Sequence, residues 1–441
     1  MLNYVMFENC LDIKSKIEEL KNQSNGDFKD YSLNKLIDEN IKSKTVNSKD
    51  FYNLTSNSWG IEEQKKIVEL ISKNQLTMGS NVKRFEKLFC NFIGSKYSVM
   101  VNSGSSANLL IIAALVLNKD FDLKRGDEII VPAVGWSTSY YPLQQYGLKL
   151  RFVDINFETL NFNEENINDA ITSKTKGILA INILGNPNNL IQLKKICKKK
   201  NLLLIEDNCE SLGAKLNKKY SGTYGIAGSF SFYYSHHINT IEGGMISTNN
   251  KSLYEYLLSL RSHGWTRDLD FKNSIKNKSG LKFNDCFRFV LPGYNVRPNE
   301  INGISGCLQL KKIKTFLFQR RRNAEIFQNL FNKEDFCQIQ KEIGESSWFG
   351  FSIILKKNLE NKRSFVINEL EKNGIETRPI VSGNFLENPV IKFFDYSIFR
   401  NLKNTQKLDR NGFFIGNDHR DLSKQLKKVK EIIYNLNLKF S

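Results

Sequence analysis

Short apolar strands that alternate with helices are the feature of this 441-residue chain that most restricts its fold. Runs that are apolar almost throughout are typical of a parallel sheet whose two faces are both covered by helices. The predicted strands span residues 127–132, 148–154, 177–182 and 202–207, and the predicted helices between them span 137–146, 164–172 and 190–200. We therefore predict an α/β fold built on a large, mostly parallel sheet.

Polar side chains collect at the ends of these predicted strands. In such sheets the carboxyl ends of parallel strands meet at one edge, and ligands bind there. The groups expected at this edge are Ser103 to Ser106, Gly135 and Trp136, Asn186, Glu206 and Asp207, and Ser235 and His236. We predict that these groups converge on the functional site.

A Gly/Ser turn links a predicted strand at 97–101 to an apolar helix at 107–117. Backbone N–H groups and the helix dipole favour an anion at such a turn, and serine hydroxyls add donors. No Gly-Lys-Ser/Thr follows at the needed spacing, which excludes a P-loop. On these residues alone, a helix start that is merely capped by serine is the alternative.

Two of the four histidines of the chain, His236 and His237, lie side by side after a predicted strand at 229–234. Histidine is the side chain best suited to move protons near neutral pH. These residues alone also allow an ordinary strand, loop and strand with a solvated histidine pair.

Composition excludes several classes of function. The net charge of +18 is spread along the chain and carried mostly by lysine, without a zinc-finger, homeodomain or RNA-binding pattern, so we predict no nucleic-acid partner. We see no apolar run of about 18 residues and no signal peptide, so no membrane partner is expected. Seven scattered cysteines show neither a disulfide framework nor a metal-type spacing. We predict a cytoplasmic protein without a bound metal.

The order of motifs resembles the sugar aminotransferase family that uses pyridoxal 5'-phosphate (PLP), the DegT/DnrJ/EryC1/StrS type. The motifs are Ser-Gly-Ser-Ser at 103–106, Glu-Asp-Asn-Cys-Glu at 206–210, Ser-Phe at 231–232, Glu-Gly-Gly at 242–244 and Gly-Tyr-Asn-Val-Arg at 293–297. The resemblance covers about residue 55 to the C-terminus and implies fold type I, the aspartate aminotransferase-like fold. It implies an N-terminal extension at 1–54, a large domain at 55–310 with a seven-stranded, mostly parallel sheet, and a smaller C-terminal α+β domain at 311–441.

One position departs from the common family pattern. Aminotransferases of this family have a lysine six residues before the glutamate of Glu-Gly-Gly, and here Glu242 is preceded at that distance by His236. With histidine at this position, the chain resembles the 3-dehydratase branch of the family. Histidine can move protons but cannot bind the cofactor aldehyde covalently. We therefore expect His236 to be the catalytic residue, and PLP or pyridoxamine 5'-phosphate to be held non-covalently.

The resemblance also implies the reaction. Phrases at 132–138, 262–267 and 378–385 are similar to 3-dehydratases that act on GDP-4-keto-6-deoxy sugars. With L-glutamate as amine donor, the enzyme would remove the carbon 3 hydroxyl of such a sugar, a hexose or a heptose, and release ammonia. The product would be a 4-keto-3,6-dideoxy sugar for a surface polysaccharide. A nucleotide-sugar 4-aminotransferase and a catalytically silent PLP-binding regulator are the alternatives.

The resemblance assigns individual residues to this reaction. The predicted cofactor-binding residues are Asp207 at the pyridine nitrogen, Gly104, Ser105 and Ser231 at the phosphate, Trp136 stacked on the ring, Glu210 in the pocket wall, and Asn295 at the phosphate of a neighbouring subunit. The last assignment implies a homodimer. Arg267, Arg297 and Arg378 are candidates for glutamate or diphosphate, because a guanidinium fork suits both anions. Cys209 and Cys286 are isolated, so no iron–sulfur cluster is expected.

Overall fold

A computed structural model describes residues 52–275 and 282–441 of the chain. The predicted N-terminal extension at 1–54 lies almost wholly outside the described residues.

An eight-stranded sheet forms the centre of the larger part of the molecule. Its order is β1 (Tyr97–Val101), β9 (Gly244–Thr248), β8 (Ala227–Ser231), β5 (Leu203–Asp207), β4 (Thr175–Ile181), β2 (Glu128–Pro132), β3 (Lys149–Val153) and β13 (Tyr396–Ile398). Only β9 runs antiparallel to its neighbours, which confirms the mostly parallel sheet.

The predicted number of seven strands was wrong by one. The additional strand, β13, has three residues and comes from the C-terminal third of the chain to pair with Leu150–Phe152 at the sheet edge. So short a strand has too few residues for a period-2 pattern to be recognised in the sequence.

Helices cover both faces of this sheet, as predicted. They are α1 (Ile61–Ser72), α2 (Ser80–Ile93), α3 (Gly104–Leu117), α4 (Ser137–Gln145), α5 (Glu164–Ala170), α6 (Leu190–Lys200) and α7 (Lys251–Arg261). Alternate residues of one strand enter different cores: Ile129 and Val131 pack with the residues of α3, and Ile130 packs with those of α5 and α6. This double burial explains why the strands are apolar almost throughout.

The C-terminal part contains a second, antiparallel sheet. Its order is β10 (Cys337–Gln338), β11 (Gly350–Leu355), β14 (Gly412–Gly416) and β12 (Thr377–Arg378). The helices of this part are α10 (Arg363–Lys372), α11 (Lys403–Asn411) and α12 (Ser423–Lys439). Tyr52 is buried in the same core and forms a bridge to Ile375, so the chain just before the large sheet is tied to the C-terminal part.

One 32-residue helix, α9 (Glu300–Phe331), joins the two cores. Its first half packs closely on α2, where a Cβ at Gly306 would lie 2.4 Å from the ring of Phe85. Its last turns contribute Phe327 and Phe331 to the C-terminal core. The boundary predicted between residues 310 and 311 therefore falls inside a continuous helix.

The remaining elements are short. They are the hairpin of β6 (Lys215–Leu216) and β7 (Lys219–Tyr220), the helix α8 (Lys282–Asp285), and 3₁₀ turns at Lys119–Phe121, Ile183–Gly185, Lys357–Leu359, Phe385–Glu387 and Pro389–Phe393. Across residues 52–275 and 282–441, no helix has the length and apolarity needed to cross a bilayer.

Candidate active site

Strand register brings the ends of five strands to one edge of the large sheet. Asp207, the last residue of β5, pairs with Ile181 at the end of β4 and with Ser229 in β8. Ser231 ends β8 opposite Gly244, which in turn lies opposite Val101 at the end of β1. The turns that follow these strands share one edge, as the sequence predicted.

The carboxylate of Asp207 is buried at this edge and held by three donors. Its Oδ2 accepts hydrogen bonds from Asn108 Nδ2 at 2.8 Å and from Ser139 Oγ at 2.7 Å. Its Oδ1 accepts from the backbone N–H of Cys209 at 3.0 Å. Donors from α3, α4 and the chain after β5 therefore fix the orientation of a carboxylate that is only 4% exposed.

The start of α3 packs directly on the end of β8. A Cβ at Gly104 would lie 2.7 Å from the Cβ of Ser231 and 2.8 Å from the Sγ of Cys209. No side chain larger than hydrogen fits there without displacing one of these neighbours. The structure thus places Gly104, Ser231 and Asp207 in one small region.

Two helix N-termini meet beside this region. Ser103 caps α3 by accepting from the N–H of Ser106, and Ser105 Oγ lies 2.8 Å from Thr138 Oγ1 in the first turn of α4. First-turn N–H groups of a helix have no intrahelical acceptors and carry the positive end of the dipole. Their meeting at the exposed Ser105 forms a candidate anion site at the sheet edge.

Trp136 stands at the N-cap position of α4, and its side chain is 57% exposed. An indole that served only as core would be buried. The exposed ring beside the anion site agrees with the predicted stacking role, which stays a prediction.

His236 lies in the turn after β8 and is half-buried. Its ring centroid is 5.1 Å from that of Phe349 and 6.0 Å from that of Tyr233. Among the described residues its buried Nδ1 has no hydrogen-bond partner. Burial, and after it the charge of Arg320, lowers the pKa of His236 to about 3, so the imidazole is neutral at physiological pH and able to accept a proton.

His237 has a different environment from His236. It is 2% exposed, and its Nε2 lies 3.1 Å from the carbonyl oxygen of Ser347. Burial lowers its pKa well below the usual value. His237 is therefore a structural histidine that ties the turn after β8 to the C-terminal part.

The carboxyl of Glu210 lies near Asp207 and has a raised pKa. Its Oε2 accepts from the N–H of Leu184 at 2.8 Å, in the turn after β4. Burial raises the pKa of Glu210 to about 7, and the nearby charge of Asp207 acts in the same direction. The position agrees with the predicted place in the pocket wall.

Two residues predicted at this edge do not turn toward it. Asn186 is buried, and its side chain donates to the carbonyls of Thr159 and Lys341 and accepts from the N–H of Ile343. Glu206 is fully buried and accepts from the N–H groups of Gly222, Tyr224 and Gly225. Because successive strand residues face opposite sides, Glu206 must lie on the other face from Asp207.

Arg267 and Arg297 share one cluster around Trp265. Their guanidinium carbons lie 3.9 Å and 5.4 Å from the centre of the indole. Asn295 is exposed, and its Oδ1 accepts from Arg297 Nε at 3.0 Å. The next carbonyl, that of Val296, accepts from the N–H of Asn102 just before α3, which ties this segment to the anion site.

Arg378 is not part of that cluster. It lies on β12 in the C-terminal sheet, where its Nη2 is 2.6 Å from Glu376 Oε1. The loop that follows it reaches the anion site, because Ser382 Oγ donates to the carbonyl of Gly135 at 2.6 Å. The three predicted arginines therefore lie in two separate places, and their role as anion ligands stays a prediction.

The sequence analysis missed several residues that surround Asp207 and His236. Asn108 carried a usable signal, since it is the single polar residue within the apolar run from Ala107 to Leu117. Ser139 gave none, because serine is common in the first turn of a helix. Phe349, whose ring packs on His236, and Arg320, whose charge acts on it, are more than 80 residues away in the sequence and could be placed only by the tertiary structure.

The sequence and the fold have counterparts among known proteins. The DegT/DnrJ/EryC1/StrS aminotransferase family matches residues 58–433. The chain belongs to this family. The family assignment that the motifs predicted is confirmed, and so is its fold: solved aminotransferases only 18–22% identical superpose with TM-scores of 0.73 to 0.76.

Within this family, the chain is more similar to 3-dehydratases than to those solved aminotransferases. A GDP-4-keto-6-deoxy-D-mannose 3-dehydratase of Yersinia pseudotuberculosis is 52% identical over 86% of this chain and 97% of its own. A solved GDP-4-keto-6-deoxymannose 3-dehydratase with a trapped PLP–glutamate geminal diamine is 50% identical, with a TM-score of 0.84 over 86% of this chain and 99% of its own. A histidine-to-asparagine variant of that enzyme, solved with bound GDP-perosamine, is 50% identical, with a TM-score of 0.85 over 87% of this chain and all of its own.

Proposed function

We propose that the protein is a PLP-dependent and glutamate-dependent 3-dehydratase of a GDP-4-keto-6-deoxy sugar. The observation that carries the proposal is His236, which occupies the position of the family lysine at the sheet edge as a neutral imidazole with an unpartnered Nδ1. Relatives that share half of their residues with this chain are GDP-4-keto-6-deoxymannose 3-dehydratases, which supports the same assignment.

The residues at the sheet edge fit PLP. Asp207 offers a buried, oriented carboxylate for the pyridinium N–H, and the start of α3 offers an anion site for the phosphate. Gly104 leaves room beside Ser231, and the exposed indole of Trp136 is free to stack. The cofactor would supply an amine for condensation with the sugar ketone and a ring that accepts electrons.

The residues of the chain have separate roles in this proposal. His236, as a neutral imidazole, takes up a proton at Nδ1 or Nε2 and can return it to the departing carbon 3 hydroxyl. Because histidine does not form a Schiff base, His236 leaves the cofactor held only by non-covalent contacts. Arg267, Arg297 and Arg378 bind the glutamate carboxylates or the diphosphate, and Glu210 lines the pocket.

The overall conversion balances without an added reductant. A GDP-4-keto-6-deoxy sugar and L-glutamate give a GDP-4-keto-3,6-dideoxy sugar, 2-oxoglutarate and ammonia. The carbon 3 hydroxyl leaves as water, the keto oxygen of 2-oxoglutarate comes from water, and the oxidation of glutamate supplies the two electrons, so that no water is gained or lost overall. No group of three or more His, Cys, Asp or Glu side chains suited to a metal occurs in the described part of the chain.

We further propose a cytoplasmic homodimer that works in surface polysaccharide biosynthesis. Asn295 and Arg297 are exposed or half-exposed on the segment beside the anion site, where they can reach a second subunit. The described cysteines are free thiols, which suits a reducing compartment. A hexose is the first candidate substrate, and a heptose is the second.

One reaction tests the function. The purified protein is incubated with PLP, L-glutamate and GDP-4-keto-6-deoxymannose, without an iron–sulfur reductant, and the products are measured by mass spectrometry. We expect loss of one oxygen from the sugar without gain of nitrogen, together with equimolar ammonia and 2-oxoglutarate. A reaction without glutamate is the control and should stop after at most one turnover.

Other products would contradict the proposal. An amino sugar would identify a 4-aminotransferase. Formation of no product from either the hexose or the corresponding heptose, with the cofactor bound, would identify a catalytically silent protein.

A further inference from the structure

The segment Ser346–Phe349 packs against both His236 and His237. The ring of Phe349 lies 5.1 Å from that of His236 and 5.8 Å from that of His237, between centroids. The carbonyl of Ser347 contacts His237 Nε2. The position of the His236 imidazole therefore depends on where this segment is held.

A buried arginine of α9 holds the segment. Arg320 is 3% exposed, and its Nη1 donates to the carbonyls of Trp348 and Phe349, each at 3.2 Å, and of Asn417 at 2.6 Å. Asn417 reinforces the attachment, because its Nδ2 donates to the same carbonyl of Trp348 at 2.8 Å. Three carbonyls and one guanidinium thus fix the backbone that carries Phe349.

The charge of Arg320 is not neutralised by an ion pair within the described residues. Its partners are carbonyl oxygens, and the carboxylate that acts on it, Asp418, is paired with Arg420 at 2.7 Å. Burial lowers the pKa of Arg320 only to about 10, so it is positively charged at neutral pH. Its field opposes a second positive charge on a neighbouring imidazole.

Other ionisable groups also lie near the two histidines, but none of them accounts for the lowered pKa of His236. Tyr233 faces His236 from the end of its own strand, at 6.0 Å between rings, and its pKa is raised by burial, which keeps it neutral. Arg321 acts on His237 from α9 in the same direction as Arg320, and so does His236. Burial and Arg320 are the two causes that act on His236.

We infer that Arg320 is a positioning residue for His236: its guanidinium holds the carbonyls of Trp348 and Phe349 and thereby fastens the ring of Phe349 against the imidazole. The inference rests on the proposed role of His236. On this inference, residues of the C-terminal part of the chain hold the His236 imidazole in place, which no residue at the sheet edge does.

Three variants and a control separate the effect of the Arg320 charge from the effect of its hydrogen bonds to the segment Ser346–Phe349. Arg320→Met removes both, Arg320→Lys keeps the charge without the fork, and Asn417→Ala removes one tie to Trp348 while leaving the charge. Arg322→Met is the matched control, because Arg322 is exposed on the same helix. Each folded holoenzyme is titrated by NMR of its imidazoles, which four histidines make resolvable, with His236→Asn to assign the signal.

We expect the His236 imidazole to stay neutral down to about pH 5 in the wild type, in Arg320→Lys and in Asn417→Ala. In Arg320→Met its titration, and the acidic limb of kcat/KM, should move up by about one pH unit or more. kcat should fall by about tenfold or more in all three, with KM for the sugar changed less than threefold. The control should match the wild type.

Unchanged titration and an unchanged pH profile in folded Arg320→Met would overturn the inference. Should Arg320→Met not fold, wild-type kcat in Arg320→Lys and Asn417→Ala would overturn it equally. The NMR titration does not require turnover, so it decides whether Arg320 governs His236 even where the dehydratase assay fails.

Discussion

At the scale of single residues, the site depends on what a histidine can and cannot do. A lysine at position 236 would both bind the cofactor and move protons, whereas the imidazole only moves protons. The structure adds that the imidazole is half-buried, neutral and packed on an aromatic ring. A neutral starting state is what a proton acceptor needs.

Replacement of His236 should therefore abolish turnover without loss of the cofactor. We expect His236→Asn to lower kcat by about 10²- to 10⁴-fold, the usual contribution of a positioned acid or base. Retained PLP is measured by absorbance after gel filtration. The control is His419→Asn, because the ring of His419 packs at a tilt on Phe316 outside the site. More than a tenth of wild-type turnover in His236→Asn would contradict the assignment.

At the scale of elements, the start of α2 is held by a residue of another helix. Glu300 in the first turn of α9 accepts from the N–H groups of Gly79, Asn81 and Val82 at 2.8 to 3.0 Å. Neither Gly79 nor another local side chain caps α2. One carboxylate thus satisfies several free N–H groups of α2 and sets the crossing of the two helices.

Glu300→Gln should destabilise the protein measurably. The amide keeps the size but loses the charge and one acceptor oxygen, which leaves a buried donor unsatisfied. We expect the free energy of unfolding to fall by about 1–3 kcal/mol in urea denaturation. Glu325→Gln, exposed on the same helix, is the control. A change below about 0.5 kcal/mol would show that water or another group replaces the carboxylate.

At the scale of the whole molecule, buried neutral histidines link stability to pH. The pKa of His237 is lowered by burial, so the folded protein binds fewer protons at this site than the unfolded chain does below about pH 6.5. Stability from this group is therefore present above pH 6.5 and declines as the pH falls. Glu210 acts in the opposite sense, because its raised pKa favours the folded state at low pH.

A comparison of variants isolates the histidine contribution. Between pH 6.5 and 5 the wild type should lose up to about 1.4 kcal/mol per pH unit more than His237→Asn, which has no proton to gain. Asparagine can still donate to the carbonyl of Ser347. Urea midpoints measured at several pH values provide the test. Parallel pH dependences of the two proteins would show that His237 does not titrate differently on unfolding.

The sequence alone determined the sheet, its direction, the family and the residues that end its strands, because those follow from local runs of apolar residues and from motifs that are contiguous in the chain. Asp207, Ser231, Gly104 and His236 follow from these motifs without any knowledge of tertiary contacts. What the sequence could not provide was the direction of side chains and contacts between distant segments. Asn186 and Glu206 also lie near strand ends, yet their side chains are engaged elsewhere.

Only the tertiary structure decided which groups surround the imidazole of His236. Phe349 and Arg320 lie in the C-terminal part of the chain, and no spacing relates them to His236. The eighth strand was likewise added by three distant residues. Local patterns fix elements because they act over a few residues, whereas burial, and with it the charge state of His236, depends on the packing of the whole molecule.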